Sequence, residues 1–202
     1  MNVALIDYGA GNLHSVHNAL RAAGAPDIAV TADPAVVAAA DRIVLPGVGA
    51  FGACMAGLAA IPGMVDALER RVREQGAPFL GVCVGMQLLA ECGEELGEHR
   101  GLGWIPGTVA ALAPSHDARV PHMGWNDVVP VADHPLIVPG QAYFLHSFAF
   151  TGAGDAVLAT TQHGGPVTAA IGRDNIVGVQ FHPEKSQRYG IALLEKFLQW
   201  RP

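Results

Sequence analysis

Residues Phe79 to Ala90 read FLGVCVGMQLLA. The run Phe79–Val82 is apolar and short enough for a buried strand, and Val84–Glu91 reads as a helix. Between them stands Gly81-Val82-Cys83-Val84-Gly85, a cysteine framed by two glycines at a strand-to-helix junction. A strand that is apolar on both faces needs cover on both faces, which is the pattern of a parallel sheet between two helical layers. The neighbouring sequence repeats that unit. Val3–Asp7 is a similar run, stopped by Tyr8-Gly9-Ala10-Gly11. In the segment that follows, Asn12 can cap a helix, and Leu13, Val16, His17 and Leu20 recur at helical spacing. Ile28–Thr31 reads as a strand, Asp33-Pro34 opens a short helix, and Ile43–Leu45 is a strand ended by Pro46-Gly47. A helical stretch is expected around Val65–Glu74. Right-handed crossovers follow from this alternation. Ligand sites in such sheets lie at the carboxyl ends of the strands, where both Cys83 and Pro46-Gly47-Val48-Gly49 stand.

The second half differs in character. From Trp104 to about Phe150 the chain is rich in glycine, proline and aromatics, and Gly124–Val129 and Ala142–Phe148 read as an antiparallel portion. Val157–Thr161, Thr168–Ile171 and Ile176–Gln180 read as further strands, with His182-Pro183-Glu184 directly after the last. A closing helix is expected over Tyr189–Trp200, with Ile191, Leu194, Phe197 and Leu198 on one face. The fold class is α/β: a mostly parallel central sheet, helices on both faces, and an antiparallel portion in the second half. With no internal repeat and no dividing linker, residues 1–202 read as a single domain.

Composition narrows the function. Half of the 202 residues are hydrophobic and only 15% are charged, which excludes a disordered chain. The net charge of −6, with no Lys/Arg block, argues against a nucleic-acid binder. No apolar run approaches the ~20 residues that span a bilayer. The start MNVALIDYG reads as a strand, not a targeting segment, and the three cysteines Cys54, Cys83 and Cys92 read as reduced thiols. A cytoplasmic protein is expected. Nine histidines show no metal-ligand spacing, so no metal and no organic cofactor are expected.

The chemistry is expected at Cys83. G-x-nucleophile-x-G marks a strained elbow whose neighbours must be small. The helix start behind it favours a thiolate, and the Val84 N–H is placed to meet an oxyanion. A buried cysteine in a tight turn fits the same frame, and Cys83 alone does not separate the two. A thiol nucleophile needs a base, and the base an orienting group. His182 and Glu184, two residues apart in a segment held extended by Pro183, can lie side by side. A solvated turn also fits that tripeptide taken alone. Pro46–Gly49 either completes an oxyanion hole or is only a tight turn.

Taken together, these residues are similar to the class I, triad-type glutamine amidotransferases. G-x-C-x-G-x-Q is present as Gly81-Val82-Cys83-Val84-Gly85-Met86-Gln87, and H-P-E as His182-Pro183-Glu184. Five further blocks resemble the branch that serves as glutaminase subunit of imidazole glycerol phosphate synthase: Tyr8–Leu13, Pro46–Gly52, Pro121–Asn126, Tyr143–Phe148 and Gln180–Ser186. The resemblance implies that fold's three layers. It also implies glutamine hydrolysis to glutamate and ammonia through a Cys83–His182–Glu184 triad and a glutamyl thioester. Gln87 and Ser147 would contact glutamine, and Gly47, Val48 and Gly49 would form an oxyanion strand with Val84. The implied partner is a (β/α)8-barrel synthase subunit, in a heterodimer. There the ammonia yields imidazole glycerol phosphate and aminoimidazole carboxamide ribonucleotide, in histidine biosynthesis. Asn12, Met123, Trp125 and Tyr143 would lie at that interface, although Asn12 also reads as a helix cap and the two aromatics as core residues. Phe148 departs from the tyrosine common in the family, and Cys54 and Cys92 match no catalytic pattern. A glutaminase for another acceptor, a stand-alone γ-glutamyl hydrolase and a non-catalytic scaffold remain as alternatives.

Overall fold

Nine strands form one sheet in the computed structural model, which describes residues 1–115 and 118–202. In spatial order they are Asp27–Thr31, Asn2–Ile6, Arg42–Gly47, Phe79–Cys83, Ile176–Val179, Pro166–Arg173, Val157–Gln162, His122–Pro130 and Gly140–His146. The first five are parallel to their neighbours. From Pro166–Arg173 onward the pairing is antiparallel. Successive side chains in Val3–Ile6, Ile43–Leu45 and Phe79–Val82 are all buried, so both faces of the parallel half are covered. The expected α/β sheet with an antiparallel second half is therefore observed.

The structure differs from the sequence reading in four places. The helix after Cys83 spans only Val84–Gln87. The carbonyls of Leu88, Leu89, Ala90 and Glu91 are taken by the N–H groups of Leu102, Ile105, Gly103 and Gly101, at 2.8–3.0 Å. A returning loop thus satisfies the bonds that a longer helix would have made. The expected strand Ala142–Phe148 is broken at Ser147: Gly140–His146 belongs to the large sheet and Phe148–Thr151 to a second one. That second sheet, ordered Phe148–Thr151, Thr108–Ala111, Cys92–Gly93, His99–Arg100, has two two-residue strands too short to show a pattern. Helix Phe51–Ala59 is also unanticipated. It has no side-chain cap at Ala50, and its Phe51 N–H is met by Glu95 Oε2 from a distant segment at 2.9 Å. The stretch around Val65–Glu74 is a short helix, Met64–Leu68, continued by a wider π turn, Glu69–Glu74.

The closing helix, Gln187–Gln199, is anchored at both ends. Buried Arg42 donates from Nε to the Leu198 carbonyl at 2.9 Å and from Nη2 to the Trp200 carbonyl at 2.8 Å, meeting the orphan acceptors of the helix terminus. At the other end Gly190 lies against Pro183, where an added Cβ would fall inside the contact distance of the Pro183 carbonyl. Alanine normally stabilises a helix interior relative to glycine by roughly 0.5–1 kcal/mol. Gly190→Ala is expected to do the opposite, lowering stability by about 1–3 kcal/mol through overpacking. Urea unfolding reads the sign; a stabilised variant would show that the helix can slide away from Pro183.

Candidate active site

Cys83 closes the strand Phe79–Cys83 and caps the helix Val84–Gln87 with φ 54° and ψ −113°, a left-handed backbone that non-glycine residues rarely take. The flanking glycines are required by contact. A Cβ on Gly81 would lie 2.6 Å from the Gly85 carbonyl oxygen, and one on Gly85 would run into the Leu45 carbonyl. The turn is thus pressed between its own strand and the neighbouring one, as an elbow requires. The Cys83 side chain is 4% exposed and lines a cleft of about 460 Å³. Its Sγ lies 4.0 Å from the Leu145 carbonyl oxygen and receives the Gln180 amide, Nε2 to Sγ, at 3.7 Å.

His182 comes to the same cleft from beyond the strand Ile176–Val179, with Glu184 bonded to it. His182 is extended and caps a single 3-10 turn, Pro183–Lys185, so the pair is brought together by a turn and not by strand alternation. Nδ1 of His182 lies 2.8 Å from Oε1 of Glu184. The backbone holds the pair in place. The His182 N–H donates to the Tyr143 carbonyl at 2.9 Å, the Ser186 hydroxyl donates to the His182 carbonyl at 2.6 Å, and the Tyr143 N–H donates to the Ser186 hydroxyl at 2.9 Å. Burial pulls the His182 imidazole down, but the neighbouring Cys83 and the bonded Glu184 carboxylate overcome this and push it up to about 10. A thiol and an imidazole therefore line one cleft, and the imidazole is bonded in turn to a carboxylate.

Gly47 pairs with Cys83 across the two central strands. It has no room for a side chain: a Cβ would lie 2.7 Å from the Gly85 nitrogen and 2.8 Å from the Val84 Cβ. Val48, Gly49 and Val84 line the cleft beside Cys83. Two side chains hold the carbonyls of this segment: the Tyr8 hydroxyl donates to Pro46 O at 2.7 Å, and the Cys54 thiol donates to Val48 O at 3.5 Å. Burial, then the nearby Cys54 and Cys83, raises the Tyr8 phenol, so it stays a donor. Cys54 thus has a role in holding the cleft, while Cys92 bonds to Thr108 Oγ1 at 3.3 Å in the second sheet.

Gln87 and Ser147 both reach the cleft. Gln87 is buried and donates through Nε2 to Phe148 O at 3.0 Å and Gln180 Oε1 at 3.1 Å. Met123 and Trp125 are not core residues: they are 64% and 48% exposed on one face of the hairpin His122–Pro130/Gly140–His146. Trp125 pairs with Tyr143 there, ring edge to ring face at 6.1 Å. Asn12 stands apart from the cleft lining; its side chain caps helix Leu13–Ala22 by accepting from the Ser15 N–H at 3.4 Å. The sequence reading assigned no role to Gln180, Glu95 or Lys185. The last two line the cleft, and Lys185 Nζ lies 5.8 Å from the Tyr143 ring centre. A larger groove, about 700 Å³, runs along Asp127–Gln141 and is lined by none of Cys83, His182 and Glu184. Among the described residues no group of three or more His, Cys, Asp or Glu could hold a metal ion.

The chain is similar to proteins already known. The family described as Glutamine amidotransferase class-I matches residues 4–200. The chain is 62% identical to the imidazole glycerol phosphate synthase subunit HisH of Zymomonas mobilis, over 99% of this chain and 96% of that one. It is 52% identical to the HisH subunit of Rhodopseudomonas palustris, over 100% of both. Among solved structures it is similar to a glutamine amidotransferase at a TM-score of 0.75 and 20% identity, covering 98% of this chain and 97% of the other. It is also similar to PurLQS from Thermotoga maritima at 0.73 and 18% identity, with the same coverage.

Proposed function

The chain belongs to the class-I glutamine amidotransferases, in the branch of HisH subunits of imidazole glycerol phosphate synthase, and on that premise we propose that Cys83, His182 and Glu184 carry out its glutaminase reaction. The protein hydrolyses glutamine and feeds the ammonia to the cyclase subunit in histidine biosynthesis. The observation that carries the residue assignment is the strained Cys83 in one cleft with a histidine whose far nitrogen is bonded to Glu184.

The thiol proton passes to His182, and the sulfur attacks the side-chain carbonyl carbon of glutamine. The carbonyl oxygen takes up negative charge, which the backbone N–H groups of the 47–49 segment and Val84 stabilise. His182 then gives its proton to the amide nitrogen, the C–N bond breaks, and ammonia leaves a glutamyl thioester. Water attacks this thioester, with His182 as base; the C–S bond breaks and glutamate is released. Glu184 keeps the imidazole oriented throughout and stabilises its charged form. Gln87 and Ser147 hold the substrate.

The partner is a (β/α)8-barrel subunit in a cytoplasmic heterodimer. Its contact surface is the exposed apolar face beside the cleft, with Met123, Trp125 and Tyr143 on the hairpin and Asn12 at the first strand's carboxyl end. Ammonia released without an acceptor is lost, so hydrolysis gated by that partner is expected. Glutamate release is measured for the chain alone, with the barrel subunit, and with that subunit plus its ribonucleotide ligand. A gain of about 100-fold or more in the third mixture is expected, the scale on which one oxyanion donor acts. A high rate unmoved by either addition would assign the triad to a stand-alone hydrolase.

A further inference from the structure

Behind the cleft lies a continuous polar chain that ends on the reacting sulfur. Asn126 Nδ2 lies 3.0 Å from His122 Nε2, His122 Nδ1 lies 2.9 Å from His146 Nε2, and His146 Nδ1 lies 2.9 Å from Phe148 O. On the other side of Phe148 O stand Gln87, Gln180 and Cys83 Sγ, in that order. His122, His146, Gln87 and Gln180 are all buried, Gln180 completely. Resting on the assignment of Cys83 as nucleophile, we propose that Gln180 is the hydrogen-bond donor that stabilises the Cys83 thiolate. Its direction is set by the Phe148 carbonyl through Gln87, the positioning residue, while His146 donates to that carbonyl from the other side.

The direction of the chain follows from one atom. A carbonyl oxygen has no proton, so both neighbours of Phe148 O must donate to it. His146 therefore carries its proton on Nδ1, which leaves Nε2 of the neutral ring as acceptor. His122 must then donate from Nδ1, leaving its own Nε2 to accept from the Asn126 amide. Gln87 likewise presents its NH2 group to Phe148 O and to Gln180, so Gln180 offers Oε1 to Gln87. That leaves Nε2 of Gln180 facing the sulfur. The reversed Gln180 amide would set NH2 against NH2 and a carbonyl oxygen against the developing thiolate. Burial and the neighbouring imidazoles hold His122 and His146 down to about 4, so the chain stays uncharged and keeps this direction at neutral pH. His122 is further fixed by stacking on His163 at 4.2 Å and Phe144 at 4.7 Å.

The test is peptide-resolved alkylation of Cys83 by iodoacetamide, in the complex with the cyclase subunit, from pH 5.5 to 9.5. The titratable groups around the sulfur are His182 with its partner Glu184, Tyr8 and Cys54, Glu95 and Lys185 in the cleft lining, and His146 beyond. All are kept in Gln180→Met, which removes the donor at similar volume. This variant is expected to alkylate about tenfold more slowly between pH 6 and 7, with the whole rate–pH curve displaced to higher pH and the rate near pH 9.5 retained. Gln87→Met, which leaves Oε1 of Gln180 without its donor and frees the amide to turn, should move the curve in the same direction by about threefold, and it decides the matter if Gln180→Met does not fold. A curve that coincides with the parent's, or one scaled equally at every pH as a change of access would give, overturns the proposal. The nucleophile assignment has a separate readout: glutaminase activity that survives complete alkylation of Cys83 would remove that assignment whatever the curves show.

Discussion

Cys83→Ala is expected to reduce glutamate release to background, a loss of roughly four to six orders of magnitude, with fold and partner binding intact. The size follows from covalent catalysis: without sulfur there is no thioester, and only substrate binding and the oxyanion donors remain. Intact folding follows from how the turn is held. The elbow is fixed by backbone contacts at Gly81, Gly85 and Gly47, none of which involves the Cys83 side chain. The sulfur's own polar neighbours are long, at 3.7 and 4.0 Å, so its loss leaves no short bond unmade. The other two thiols are poor substitutes, since Cys54 is committed to the Val48 carbonyl and Cys92 to Thr108 in the second sheet. Glutamate release in the liganded complex and calorimetric titration of the cyclase subunit measure the two halves. Residual hydrolysis within tenfold of the parent would mean that Cys83 is not the nucleophile.

The parallel half of the fold was legible because each strand is a short apolar run bounded by turn residues, and because Asn12 and Asp33 cap the helices that follow through side-chain bonds of their own. What escaped reading depends on partners far away in sequence. Helix Phe51–Ala59 starts on a carboxylate 44 residues downstream, which no local pattern announces. The helix after Cys83 stops early because residues 101–105 claim its carbonyls. The break at Ser147 moves the chain between sheets without a glycine or proline to mark it.

The proposed triad was legible for a different reason. Cys83 carries a local signature, since the elbow demands small neighbours, and His182 and Glu184 are close in sequence. Their meeting in space required only that the strands Phe79–Cys83 and Ile176–Val179 be neighbours, which they are. Gln180 carries no signal of its own in the sequence, because a glutamine at the end of an apolar run looks like any satisfied core amide. Its meaning appears only when Gln87 and the sulfur are seen on either side of it. Met123 and Trp125 illustrate the reverse limit: only the resemblance names them for an interface, and only the sheet order shows that they lie on a terminal hairpin with an uncovered face.

Glu184→Gln separates orientation from charge. The amide is nearly the shape of the carboxylate and can still accept from His182 Nδ1, but it carries no charge to stabilise the imidazolium. Glutaminase activity is expected to fall roughly 100- to 10,000-fold, because the amide can also turn its NH2 group to the ring and select the wrong tautomer. The pH dependence is the sharper test. In the parent His182 is raised from 6.5 to about 10, partly by Glu184, so the imidazolium persists until the pH nears 10. Without the carboxylate the alkaline limb of the activity profile should move to lower pH by about one unit or more. Stability follows the same sign. A group raised on folding contributes its stabilisation in full below pH 6.5 and loses it as pH rises through about 10. The variant should therefore melt below the parent at pH 6, with the gap narrowing as pH approaches 10. A gap constant with pH, together with an unmoved alkaline limb, would show that Glu184 only shapes the cleft and that the imidazolium owes its stability to the Cys83 thiolate alone.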